Sequence, residues 1–233
     1  MLNFVLVHGA WHGGWCWSRV ARLLLDAGHT VYAPSLTGLG DRAHLARPEV
    51  DLALHVEDVV SFIETEELRS VILVGHSYGG MVIAGAAARV TPRLSHLVYL
   101  DAFVPVAGQA VFDFMPAERV DALRQSAVEQ GEGWRVPAFP PARFGVTSAR
   151  DTEWLTRRLV PQPLRTFEQP LAAAGGERVK RTYIYCSKPA MGPFDAFAER
   201  LRDDGKWTFH EVKTGHDAMI TTPGEIAKLL MNR

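Results

Sequence analysis

Through the first hundred or so residues, short apolar runs alternate with longer stretches whose apolar positions recur at helical spacing. Residues 2–7, 30–33, 70–74 and 94–100 read as strands. The run at 70–74 is apolar throughout rather than alternating, which predicts a parallel strand buried on both faces. Residues 13–27 read as a helix with Trp15, Val20, Leu23 and Leu24 on its apolar side and Gly28 just past its end. Residues 52–64 and the small-residue run 80–90 read as two further helices, and 34–45, rich in Gly, Ser and Thr, as a loop.

The alternation stops after Asp101 and resumes with a strand at 182–186, a helix at 194–202, a strand at 208–212 and a helix at 223–231. The intervening stretch holds many prolines and several aromatics. It is too long for a plain loop and too apolar for a linker, so it reads as a folded insertion. These elements predict an α/β fold, a mostly parallel, doubly wound sheet. Residues 1–105 and 177–233 form its core, and 106–176 form a cap inserted after the strand that ends near Leu100.

Composition narrows this picture. A chain of 233 residues with 47% hydrophobic and 22% charged residues suits a single globular domain. The 25 basic and 26 acidic residues nearly cancel, so no long-range field directs the molecule to nucleic acid or to an anionic membrane, and neither is expected as a partner. The N-terminal residues lack a basic region and a small-residue cleavage site, and no apolar run is long enough to span a bilayer. A cytoplasmic protein is therefore the expectation, with Cys16 and Cys186 reduced.

The chemistry centres on Gly75-His76-Ser77-Tyr78-Gly79-Gly80, which follows one strand and opens a helix. In that context a Gly-x-Ser-x-Gly turn is sharp and strained and lifts the Ser hydroxyl clear, marking Ser77 as a candidate nucleophile. A Ser hydroxyl needs a base, and His216, between the last strand and the last helix, is the one of nine histidines in the place such a base occupies. The loop His8-Gly9-Ala10-Trp11 after the first strand is suited to an oxyanion hole. Ala10 N–H and Tyr78 N–H are the candidate donors, and His8 is expected to hold the loop in shape.

Together these segments resemble the α/β-hydrolases of the plant methyl esterase and hydroxynitrile lyase type and their bacterial carboxylesterase relatives, including pyrethroid hydrolases. The resemblance rests on Leu6-Val7-His8-Gly9-Ala10-Trp11-His12-Gly13-Gly14-Trp15, Val74-Gly75-His76-Ser77-Tyr78-Gly79-Gly80-Met81, Tyr99-Leu100-Asp101-Ala102-Phe103-Val104-Pro105 and Gly215-His216, in that order along the chain. It implies a largely helical cap, no cofactor or metal, and action on small esters or cyanohydrins. One departure stands out. These relatives usually carry the triad acid a few residues after the strand matching 182–186, whereas here Ser187-Lys188-Pro189-Ala190-Met191-Gly192-Pro193 contains no carboxylate.

Asp101, at the carboxyl end of the strand 94–100, resembles the position of the triad acid in haloalkane dehalogenases and is the first candidate; Asp195 is the second, and Asp217 is expected to point away. The expected activity is hydrolysis of a small, mostly apolar carboxylic ester through an acyl-enzyme on Ser77. The same machinery accepts a lactone or thioester. Two rival readings are a hydroxynitrile lyase and a non-catalytic receptor. The plant lyases carry a Thr in the oxyanion loop and a Lys after the His, where this chain has Gly9 and Asp217, and the intact Ser, His and loop argue against a receptor. Phe112, Phe114, Trp134, Phe139, Phe144 and Trp154 are the expected apolar lining of the pocket. A homodimer is the assembly left open.

Overall fold

Residues of the strands divide by parity between two apolar layers. Phe4, Leu6, Ile72, Val74, Val98, Leu100, Ile184 and Cys186 belong to one buried cluster, and Val5, Val7, Leu73, Leu97, Tyr99 and Tyr183 to the other. Successive side chains of a strand point to opposite faces, so a strand apolar at every position must be covered on both.

The computed structural model describes residues 1–232; Arg233, the last residue of the expected core range 177–233, lies outside them. In chain order the elements are β1 (Asn3–Val7), α1 (Ser18–Asp26), β2 (Thr30–Tyr32), α2 (Leu52–Thr65), β3 (Val71–His76), α3 (Gly79–Val90) and β4 (Leu94–Leu100). There follow α4 (Ala117–Gln130), β5 (Arg135–Val136), α5 (Ala149–Thr156), β6 (Gln162–Pro163) and α6 (Arg165–Glu168). The chain closes with β7 (Lys180–Cys186), α7 (Asp195–Arg202), β8 (Thr208–Val212), α8 (Ala218–Thr221) and α9 (Pro223–Met231).

Six strands form one sheet in the order β2-β1-β3-β4-β7-β8, and every pair in it is parallel. Val20 and Leu24 of α1 and Ile226 and Leu230 of α9 fill the layer on one face; α2, α3 and α7 cover the other through Val56, Val59, Met81, Val82, Phe197 and Leu201. The chain thus folds as the doubly wound α/β sheet its pattern predicts and as the α/β-hydrolase architecture the resemblance implies. The order reverses between β1 and β3, and in open parallel sheets the crevice at such a switch point, beyond the carboxyl ends of the strands, is where ligands bind.

Most element bounds fall within two residues of those read from the pattern. The expected helix 13–27 opens instead with a 3-10 turn, Gly14–Trp17, and its orphan Gly14 N–H donates to Ser35 Oγ (2.9 Å). The short α8 and all of the elements between 106 and 176 had no legible periodicity. The entry and exit of that segment meet: Gly108 N–H donates to the Leu171 carbonyl (2.8 Å) and Leu171 N–H to the Gln109 carbonyl (2.9 Å). Within it α5 docks on the main body through an Arg19–Asp151 ion pair and the packing of Trp154 edge-on against Trp15, ring centroids 5.1 Å apart.

Ile72 lies in the central strand, fully buried, so Ile72→Ala should lower the unfolding free energy by about 2–5 kcal/mol. Leu25→Ala, on the exposed side of α1, should change it by less than about 0.5 kcal/mol. Urea denaturation of the two variants measures both, and equal losses would contradict the packing described.

Candidate active site

The strand register sets the site. His76 pairs with Leu100 across β3 and β4, and Leu100 with Ile184 across β4 and β7, so Ser77 and Asp101 emerge side by side at the carboxyl edge of the sheet. Ser77 N–H donates to the Leu100 carbonyl (3.2 Å), and Asp101 N–H to the Ile184 carbonyl (2.7 Å). Both residues take positive φ, 54° at Ser77 and 42° at Asp101, a conformation that costs a non-glycine residue about 1–3 kcal/mol and is held only where surrounding bonds enforce it.

The turn at Ser77 closes because two neighbours have no side chain. A Cβ on Gly75 would stand 2.6 Å from the Gly79 carbonyl oxygen, and one on Gly9 would stand 2.9 Å from Ser77 Cβ. The loop after β1 can therefore lie directly against the elbow. Ala10 N–H and Tyr78 N–H have no hydrogen-bond acceptor among the described residues, and Ala10, Ser77 and Tyr78 line the same cavity. The next amide, Trp11 N–H, is already engaged, donating to Gln162 Oε1 (3.0 Å).

His8 is fully buried. Its Nε2 accepts from Leu36 N–H (3.0 Å) and its Nδ1–H donates to the Gly9 carbonyl (2.8 Å), an arrangement open only to a neutral imidazole. Burial pushes its pKa down to about 3.

His216 follows β8 and is 2% exposed. Its Nδ1–H donates to Asp101 Oδ2 at 2.6 Å, and the other Asp101 oxygen accepts Cys186 N–H at 3.1 Å. Burial pushes the Asp101 carboxyl above the usual carboxylate range, against the pull of these two hydrogen bonds and of the imidazole. Phe194 stacks on the His216 ring, centroids 5.0 Å apart and planes 8° from parallel. With Nδ1 committed to Asp101, the lone pair of Nε2 is left for a proton from elsewhere. Ser77 Oγ makes no hydrogen bond to it among the described residues.

Asp195, the alternative acid, accepts a hydrogen bond from Tyr185 OH (2.7 Å) and makes no hydrogen bond or ion pair with His216 among the described residues. Asp217 points into the protein. Its Oδ2 meets His12 Nε2 at 3.1 Å, while Oδ1 has no hydrogen-bond partner and lies 3.9 Å from His76 Nε2. Burial alone would lower the His12 pKa, but the charge and hydrogen bond of Asp217 and the Ala10 carbonyl outweigh it and raise it above its ordinary value. His76 is held neutral, its pKa driven far down by burial and by the neighbouring His216 and His12; its Nε2–H donates to the His216 carbonyl (3.0 Å). His12 and His76 lie within the motifs of the sequence, but nothing local marks a role for either. Their partner, Asp217, comes from the far end of the chain.

A cavity opens over Ser77; with the open solvent at its mouth it spans about 410 Å³. Of the six aromatics expected to line it, only Phe139 does so; Trp11, Tyr78, Phe103, Phe167 and Phe194 complete the aromatic wall. The other five pack elsewhere: Phe112 against Phe167, Phe114 against Phe103, Phe144 against Trp11 and His216, Trp134 beneath the Arg135 guanidinium, and Trp154 against Trp15. No helix among the described residues is long and apolar enough to cross a membrane.

A family model described as "Alpha/beta hydrolase family" matches residues 4–229. A carbendazim hydrolyzing esterase of Nocardioides sp. (strain SG-4G) is 44% identical over 99% of this chain and 98% of its own length. Methylesterase 10 of Arabidopsis thaliana is 30% identical over 98% of this chain and 90% of its own. Among solved structures, an extracellular alpha/beta-hydrolase from a Paenibacillus species, described as sharing structural and functional homology with tobacco salicylic acid binding protein 2, superimposes with a TM-score of 0.88. It is 28% identical and covers 100% of this chain and 98% of its own.

His8 and His76 stay neutral in the fold but bind protons once unfolded below their ordinary pKa of 6.5. The unfolded state then holds more protons, so their contribution to stability is complete above pH 6.5 and is lost as pH falls from there toward the folded value, about 3 for His8. The urea midpoint should therefore drop between about pH 6.5 and 5, above the range where ordinary carboxylates titrate, and drop less steeply in His8→Asn. A midpoint that is flat over this interval would contradict the burial of neutral imidazoles.

Proposed function

This chain belongs to the alpha/beta hydrolase family and is an ester hydrolase, and we propose that Ser77 is its nucleophile, His216 its general base and Asp101 the acid that orients His216. The observation that carries the assignment is the 2.6 Å hydrogen bond between Asp101 Oδ2 and His216 Nδ1, formed beneath the cavity that Ser77 opens into.

In the reaction, Ser77 Oγ attacks the carbonyl carbon of a small ester while its proton passes to His216 Nε2. The carbonyl oxygen becomes an oxyanion held by Ala10 N–H and Tyr78 N–H, the two amides left without acceptors. Collapse of this intermediate expels the alcohol, which takes the proton from His216, and leaves an acyl group on Ser77. Water then attacks the acyl carbon, giving its proton to His216, and the proton returns to Ser77 Oγ as the acid leaves. Asp101 stays ionised throughout, fixing the tautomer and facing the positive charge that His216 carries between steps.

The segment 106–176 acts as the cap. It supplies Val111, Met115, Leu123, Phe139 and Phe167 to the cavity, which favours an apolar acyl or alcohol group and excludes bulk water from the acyl-enzyme. The two free, buried cysteines, Cys16 and Cys186, support a cytoplasmic setting.

Ser77→Ala should abolish turnover of 4-nitrophenyl butyrate and labelling by a fluorophosphonate; activity near wild type would remove Ser77 from the mechanism. Asp101→Asn should lower kcat by about 10⁴ if it fixes the tautomer of His216, while Asp195→Asn stays within about threefold. The reverse pattern would move the acid to Asp195.

A further inference from the structure

Among the residues that line the cavity, one carries a charge. Arg119 lies in the first turn of α4 and shares a helix face with Leu123, which also lines the cavity. The residue is half-buried, and its guanidinium makes no hydrogen bond or ion pair with any described residue. Its Nε is buried without an acceptor, a costly arrangement for a cationic donor unless something else fills the role.

The surroundings do not supply that something. The guanidinium lies over the Phe139 ring, 5.5 Å from its centroid, and Phe139 is itself a cavity wall. Such stacking satisfies the face of the cation but leaves its N–H groups, which point outward in the plane, without acceptors. Burial, and after it the charge of a second cation, Arg143, hold the Arg119 guanidinium below its ordinary pKa. By contrast Arg124, one turn further along α4, is paired with Glu168. A solvated surface charge would not explain a side chain on the same face as Leu123, stacked on a wall of the pocket.

We propose that this cavity takes esters whose end remote from the scissile bond carries a carboxylate, and that Arg119 is the specificity-determining residue that binds it. The inference rests on the reading of Ser77 as nucleophile and narrows the substrate class of that site. A guanidinium fork and a carboxylate match in geometry and charge, and the apolar walls suit the carbon chain between carboxylate and ester.

The test compares mono-4-nitrophenyl adipate with 4-nitrophenyl hexanoate, esters of equal acyl length that differ by the terminal carboxylate. Wild type should turn over the adipate at least as efficiently as the hexanoate. Arg119→Gln should lower kcat/KM for the adipate by about tenfold or more, mainly through KM, and leave the hexanoate within about threefold; Arg119→Lys should fall between. A wild-type preference of about tenfold or more for the hexanoate, or equal loss of both in a folded Arg119→Gln, would overturn the proposal. If Arg119→Gln does not fold, wild type decides: butyrate should inhibit hexanoate turnover at about tenfold lower concentration than butyramide, and equal inhibition would overturn it. Ser77→Ala separates the two readings, since it should remove both activities while Arg119 variants change only their ratio.

Discussion

The hydrogen bond between Asp101 and His216 is the constraint to which the rest of the site answers. It joins a carboxylate at the end of β4 to an imidazole that follows β8, two places along the sheet, and both groups are almost wholly out of water. Losing one partner of such a pair would strand the other, at a cost of about 3–5 kcal/mol. The intervening strand prevents this. Cys186 N–H at the end of β7 binds the second Asp101 oxygen, and Phe194, just beyond β7, stacks on His216. Asp101, His216 and their supports therefore come from three successive strand ends, an arrangement that exists only when the parallel register is right.

Strain at Ser77 is tied to the same register. The positive φ there and at Asp101 is enforced by hydrogen bonds to carbonyls of the adjacent strands, and by an approach between the β1 loop and the elbow that only a missing side chain allows. Holding the amides of Ala10 and Tyr78 without acceptors has an energetic cost, because unpaired N–H groups lining an apolar cavity lose water without gaining a partner. In the proposed reaction that deficit is relieved when a negative oxygen forms between them, so the fold stores in its resting state what the transition state uses.

A second buried group is made of His12, Asp217 and His76. Asp217 directly follows His216 yet turns inward to an ion pair with His12, and the neutral His76 donates its proton to the His216 carbonyl. The backbone of His216 is thus held by one imidazole while its side chain is held by a carboxylate.

The chain by itself determined the six strands of the main sheet, because the apolar runs at its centre can be satisfied only between two helical layers, and it marked Ser77 and His216, because their strand–turn–helix settings are local. It also led to Asp101, since the position where the acid was expected held no carboxylate. The pocket was not legible. Five of the six aromatics read as its lining pack elsewhere, and Phe103, Phe167 and Phe194 line it instead, because the face an aromatic presents depends on how the irregular segment 106–176 folds back on the sheet. Likewise nothing near Asp217 in sequence announces His12, and nothing near Arg119 announces the cavity. Such pairings join residues far apart in the chain, and only the tertiary structure decides which distant surfaces share a dry interior and which charges find a partner there.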